Sequence, residues 1–160
     1  MIDYEHRLNL NTRPPLVGVE VVAFLAQTRA ARIVDAVEDG KFAWAWNFST
    51  TPDTRRELRI WRGSVAAFLR TRGADGGAQV SETDVLDDVL PQRDLWTGEL
   101  RRRWDINRSL IELLIAEKVF KVTATAPKDG SLNGARKIER ASLVRFLRER
   151  RVGAVVGAMN

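Results

Sequence analysis

The strongest constraint on this chain is that it resembles itself. RIWRGSVAAFL at 59–69 aligns with KIERASLVRFL at 137–147, an offset of 78 residues. Ile60/Ile138, Arg62/Arg140, Ser64/Ser142, Phe68/Phe146 and Leu69/Leu147 are identical, and Arg59/Lys137 is conservative. Upstream, the same offset of 78 pairs Ile33 with Ile111, Val37 with Ile115 and Phe42 with Phe120. Further upstream an offset of 79 pairs Glu20 with Glu99, Val21 with Leu100 and Leu25 with Trp104. Collinear matches of this kind mark a duplicated unit. A turn one residue longer in the first unit explains the slip. The chain of 160 residues therefore divides into an arm (1–15), a first repeat (16–73), a connector (74–94), a second repeat (95–151) and a tail (152–160).

Both repeats read as the same series of elements, an α+β fold that is mainly α. In the first, Val19 to Ala26 forms a short helix with Val22 and Leu25 on one face. Thr28 is placed to cap a second helix running to about Asp39, with Ile33, Ala36 and Val37 as its apolar stripe. Gly40 stops it. Residues 41–48 alternate, so Phe42, Trp44, Trp46 and Phe48 share a core-facing side. A turn at 49–54 leads to a return strand over 55–61, and Arg62-Gly63-Ser64 opens a packing helix. The second repeat follows with a helix from Leu95 to Arg103 and an Asn107-capped helix bearing Leu110, Ile111, Leu114 and Ile115. A strand from Phe120 to Ala126, a loop at 127–134, a return strand at 135–140 and a helix from Ser142 to about Arg151 complete it.

Composition narrows the chemistry. There are no cysteines and one histidine, His6. That removes disulfide scaffolds, Cys-ligated metals and cysteine nucleophiles, and argues against His-rich metal sites. No P-loop, nucleophile elbow or metal-ligand cluster is present, so no enzymatic role and no cofactor are expected. No apolar run reaches the roughly 20 residues of a membrane helix, and no signal peptide is visible. The expectation is a soluble cytoplasmic protein without membrane contact, nucleoid-associated if bacterial. Net charge is +5, unevenly spread: +3 over the first repeat, −5 over the connector and +7 over the second repeat. Two basic modules around an acidic spacer point to a polyanionic partner.

At this point the residues resemble the MerR/excisionase-like winged helix-turn-helix family. The second repeat carries the pattern as Glu99-Leu100, Trp104, Ile106-Asn107, Leu110-Ile111, Leu114-Ile115 and Phe120, then Lys137-Ile138, Leu143 and Phe146-Leu147. It has Lys118 where the family prefers glycine. The first repeat keeps that glycine in Gly40-Lys41-Phe42, with Glu20-Val21, Leu25, Ile33 and Val37, and departs at the turn before its second helix. The resemblance implies two tandem winged helix-turn-helix domains, each with two helices, a β-hairpin wing and a packing helix. It also implies sequence-specific binding of double-stranded DNA at a bipartite site, as in regulators, excisionases or architectural factors. The second helix of each unit would enter the major groove.

The candidate contacts follow. Thr28, Arg29 and Arg32 begin the first recognition helix, with Ala30 and Ala31 allowing close approach. Asn107, Arg108 and Ser109 begin the second, with Glu112 a turn further on. Arginine there can pair bidentately with guanine, and free N–H groups at the helix start suit phosphate. Arg55, Arg56 and Arg59 on the first hairpin, and Lys128, Arg136 and Lys137 on the second, are wing candidates. Strand alternation puts Arg59 and Lys137 on the solvent face, where edge charges also discourage strand association. Arg102, in the run 101–103, is a phosphate candidate. The tryptophans read mainly as core, with Trp61 the most exposed and Trp96 stapling a helix. SETDVLDDVLP at 81–91 reads as a short acidic helix with an apolar side of Val85, Leu86, Val89 and Leu90. That helix or the tail offers a surface for a homodimer or protein partner. The alternative function is a protein-interaction scaffold without specific DNA binding.

Overall fold

The computed structural model describes residues 13–49, 57–71, 80–126 and 135–152. The first half runs β1 (Leu16–Gly18), α1 (Val19–Ala26), α2 (Ala30–Glu38), β2 (Ala45–Asn47), β3 (Leu58–Trp61) and α3 (Arg62–Thr71). A connecting helix, α4 (Glu82–Val89), follows. The second half runs β4 (Leu95–Trp96), α5 (Thr97–Trp104), α6 (Arg108–Ala116), β5 (Val122–Thr125), β6 (Arg136–Ile138) and α7 (Arg140–Arg150). A last strand, β7 (Arg151–Val152), closes the described chain. The fold is α+β, with seven helices and two small antiparallel sheets among the described residues. Each half has the order strand, helix, helix, hairpin, helix. The strand orders also match, β1-β3-β2 and β4-β6-β5, except that β7 adds to the first sheet beside β2.

Local chemistry sets the helix ends. Gln27 (φ 54°) and Asp105 (φ 49°) take left-handed conformations that end α1 and α5. Three residues then separate the helices in both halves, 27–29 and 105–107. The two turns are equal in length, contrary to the expected extra residue; the offset is 78 from α1 and α5 through the second helices and slips to 77 in the first hairpin strand, where Ala45 and Val122 pair with Ile60 and Ile138. In that register Val22 corresponds to Leu100, and Thr28 stands where the second half buries Ile106. The cap assigned to Thr28 falls instead on Arg29, which makes no side-chain capping bond. Thr28 N–H donates to the Ala23 carbonyl at 3.0 Å, closing the end of α1. Asn107 is a true cap: its Oδ1 accepts from Leu110 N–H at 2.8 Å. After the second helices, Gly40 (φ 75°) and Lys118 (φ 62°) both turn left-handed. Lysine thus holds the backbone shape that the glycine holds in the first half.

One buried cluster belongs to the first half, with Val22, Ile33, Val37, Phe42, Ile60 and Val65 among its members. The other joins both halves and the connector. There Trp44, Trp46 and Phe48 of the first half meet Leu100, Trp104, Phe120 and Phe146 of the second, and α4 contributes Val85, Leu86, Val89 and Leu90. Phe48 lies 5.2 Å from both the Trp104 and Phe146 rings. Alternation along β2 sends Trp44, Trp46 and Phe48 to the shared core and Ala45 to the first-half core. Phe42 does not share the tryptophan side as expected. It precedes the strand, just after the Gly40 turn, and stacks on Phe68 at 4.4 Å.

The identical Arg and Ser of the repeat do matching work. Ser64 Oγ accepts Trp44 N–H and Ser142 Oγ accepts Lys121 N–H, each at 3.1 Å, so both fasten the hairpin to the packing helix. Arg62 reaches Asp88 of α4, with Nε at 3.0 Å, and Arg140 Nε donates to the Pro91 carbonyl at 2.9 Å. From residue 80 onward the connector is therefore built into the core; the glycine-rich stretch 73–77, which reads from the sequence as a flexible joint, lies outside the described residues. No helix among the described residues is long and apolar enough to cross a membrane.

Candidate nucleic-acid interface

The second helix of each half presents its N-terminal turn to solvent. On α2, Arg29, Ala31 and Arg32 are exposed, while Ala30 is half-buried against the first core. Ile33 and Val37 anchor the inner side, which fixes the arginines outward. Further along, the exposed residues turn acidic: Asp35, Glu38 and Asp39. On α6, Asn107, Arg108 and Ser109 are exposed, with Ile111 and Leu114 buried beneath. Cationic character is thus confined to the first turn of each helix. Thr28 is half-buried and lies behind that turn.

Glu112 organises the second surface. Its carboxylate pairs with Arg136 of β6, and its Oε1 lies 3.8 Å from Arg108 Nε. It joins α6 to the hairpin and orients two candidate cations at once. Lys137 is half-buried with its Nζ 5.8 Å from the Trp96 ring centre, a cation–π distance. Arg102 is exposed on α5. Arg55, Arg56 and Lys128, the outermost wing candidates, lie outside the described residues.

Arg59 departs most from expectation. Its side chain is only 14% exposed. The guanidinium donates to the Trp104 carbonyl at 3.2 Å and to the Asp105 carbonyl at 2.6 Å, satisfying the C-terminal end of α5. The solvent-face assignment fails because the second half packs onto that face. The edge-charge explanation fails as well: β3 and β6 are the middle strands of their sheets, flanked by β1 and β4.

The acidic connector turns Asp88 inward, while Asp84 and Asp87 stay exposed. Burial raises the Asp88 carboxyl, but hydrogen bonds from Arg62 and Trp61 and the nearby Arg103 outweigh it, holding the group below its usual value. Trp61 Nε1–H donates to Asp88 at 2.7 Å, so the tryptophan expected to be most exposed is half-buried and partnered. Its ring lies over Gly63, where a Cβ would come within 2.4 Å of it. Glu82 pairs with Arg148 at 2.6 Å, and Asp94 accepts from Arg140 N–H at 2.9 Å. A hydrogen bond from Arg93 lowers Glu99 against a smaller opposing effect of burial. Burial lowers Arg151, partly countered by Glu82.

No cluster among the described residues groups three or more His, Cys, Asp or Glu side chains suited to a metal ion. The surface offers guanidinium groups, a hydroxyl, an amide and exposed helix starts, chemistry that suits phosphate and base edges. Lys121 and Arg145, both exposed beside the second hairpin, were not picked out from the sequence. Their only signal is position in the repeat, where the first half carries uncharged residues. No protein-family model, curated protein or solved structure matches this chain.

Proposed function

We propose that this chain is a non-enzymatic, double-stranded DNA-binding protein made of two winged helix-turn-helix units of the MerR/excisionase-like kind. The observation that carries the reading is the doubled strand–helix–helix–hairpin–helix order with exposed arginine in the first turn of each second helix. N-terminal residues of a recognition helix are those that meet base edges. Arg29 and Arg32 in one unit, and Asn107, Arg108 and Ser109 in the other, are the reading residues. Arg102, Arg136 and Lys137 supply phosphate contacts beside them. Arg59 leaves the set, because its donors are already taken. Glu112 holds Arg108 and Arg136 in place.

A gel shift on a pool of random duplexes tests this. Selected sites are expected to bind with affinity that falls steeply with salt, by about 0.9 log units per log unit of salt for each phosphate contact. Arg29→Glu with Arg32→Glu, or Arg108→Glu alone, is expected to cost at least about 1–3 kcal/mol of binding with the fold intact by circular dichroism. Absence of any preferred duplex at moderate salt would refute the reading. The second reading, a protein-interaction scaffold, draws on Phe24, which stands 79% exposed on α1, and Leu113, 40% exposed on α6. It predicts tight complexes with protein and none with DNA.

A further inference from the structure

We infer that the outer edge of β5 is a docking site for an extended, acidic segment of a partner protein, which adds to the second sheet as a strand. The argument starts from the difference between two otherwise matching sheets. In the first, β7 covers the edge of β2, pairing Ala45 with Val152 and Trp46 with Arg151. Arg151 donates to the Ala43 carbonyl at 2.8 Å and lies 3.5 Å over the Trp44 ring. In the second sheet the corresponding strand is β5, and no described strand pairs with its outer edge. Thr123, Ala124 and Thr125 are exposed along it. An uncovered edge presents N–H and C=O groups ready for another chain.

The surroundings identify the occupant. Val122 pairs with Ile138 as Ala45 pairs with Ile60, so Lys121 stands where the first half has Trp44, whose ring receives Arg151. Beside them opens a cavity of about 510 Å³, with Phe120 and Val122 among its apolar lining. Lys118, Lys121 and Arg145 line it, against a single carboxylate, Glu139. Glu139 lies 3.5 Å from Lys121 Nζ, and Lys121 remains 70% exposed. The first half seats a cation on a tryptophan at this position. The second half puts a cation, Lys121, there itself, with Lys118 and Arg145 beside it, so the complementary side chain is a carboxylate. An extended segment alternating apolar and acidic residues meets both features: its backbone pairs with β5 and its acids face Lys118, Lys121 and Arg145. This partner is additional to the DNA of the proposed function.

The test uses the full chain and a fluorescent peptide of alternating valine and glutamate, read by anisotropy. Three comparisons accompany it: a valine–lysine peptide, the valine–glutamate peptide N-methylated at alternate backbone positions, and duplex DNA. Binding of the acidic peptide is expected, with a loss of about tenfold or more on N-methylation, on Lys121→Glu and on Val122→Trp, which fills the cavity. The valine–lysine peptide is expected not to bind. Equal binding of the N-methylated peptide would reduce the effect to charge attraction and overturn strand addition. Failure of the acidic peptide to bind overturns the proposal, as does a Lys121→Glu defect seen with duplex DNA alone.

Discussion

Lys118 holds a backbone conformation that its own side chain disfavours. With φ at 62° it ends the turn after α6, where the matching Gly40 sits without a Cβ to crowd the carbonyl. Lys118→Gly is therefore expected to stabilise the protein by about 1 kcal/mol, visible as a higher urea midpoint at an unchanged slope. A loss of stability would mean that lysine's side chain outweighs the strain. Asp88 illustrates a second residue-level balance. Burial raises its pKa, but Arg62 and Trp61 donate to it strongly enough to bring the value below that of a free carboxylate. A group depressed in this way stabilises the fold above the unfolded pKa of about 4, and that stability disappears as pH falls through the lower folded value. Asp88→Asn is expected to lower stability at neutral pH by about 1–3 kcal/mol, because a charged acceptor of two half-buried donors is lost. It should also flatten the acid limb of a stability–pH profile. An unchanged limb would show that Asp88 plays no part in it.

At the scale of elements, the helices were legible and the short strands were not. The span Val19–Ala26 follows from its apolar spacing, and the Asn107 cap and the Ser81 cap of α4 are visible as residue types in position. β1, β4 and β7 hold two or three residues each, too few to display alternation. They are strands only because a neighbour pairs with them. Without β1 and β4, β3 and β6 look like edges; Arg59 looks solvent-facing because alternation cannot show that the second half packs onto that face. Similarly, the row Trp44, Trp46 and Phe48 announced burial but not the partner. What covers it comes from the other half of the chain: Trp104 and Phe146 lie 5.2 Å from Phe48, and Arg151 covers Trp44. Of the candidate site, the first-turn residues of α2 and α6 were readable because exposure follows helical period; the roles of Glu112 and Arg59 depend on tertiary packing. Ending the chain after Arg150 removes β7 and its arginine. Relative to a chain ending after Val152, this is expected to cost about 2–4 kcal/mol in urea unfolding. Equal stability of the two chains would deny β7 a structural role.

For the whole molecule, the repeat suggests two beads on a string, and the core does not. Trp46, Phe48, Trp104, Phe120 and Phe146 form one cluster across the halves, with α4 sealed into it. Two of the connector's carboxylates, Asp88 and Glu82, pair with Arg62 and Arg148 on the flanking halves. The two proposed recognition helices are thus carried on a fused body, and on that proposal a duplex that engages both must present its half-sites at one spacing. The direct measurement is affinity for a selected bipartite duplex against the same duplex with about five base pairs inserted between its half-sites, half of a helical turn. The fused, two-helix account predicts that the insertion lowers affinity by about tenfold or more, to the level of an isolated half-site. Affinity that is indifferent to the insertion would contradict it.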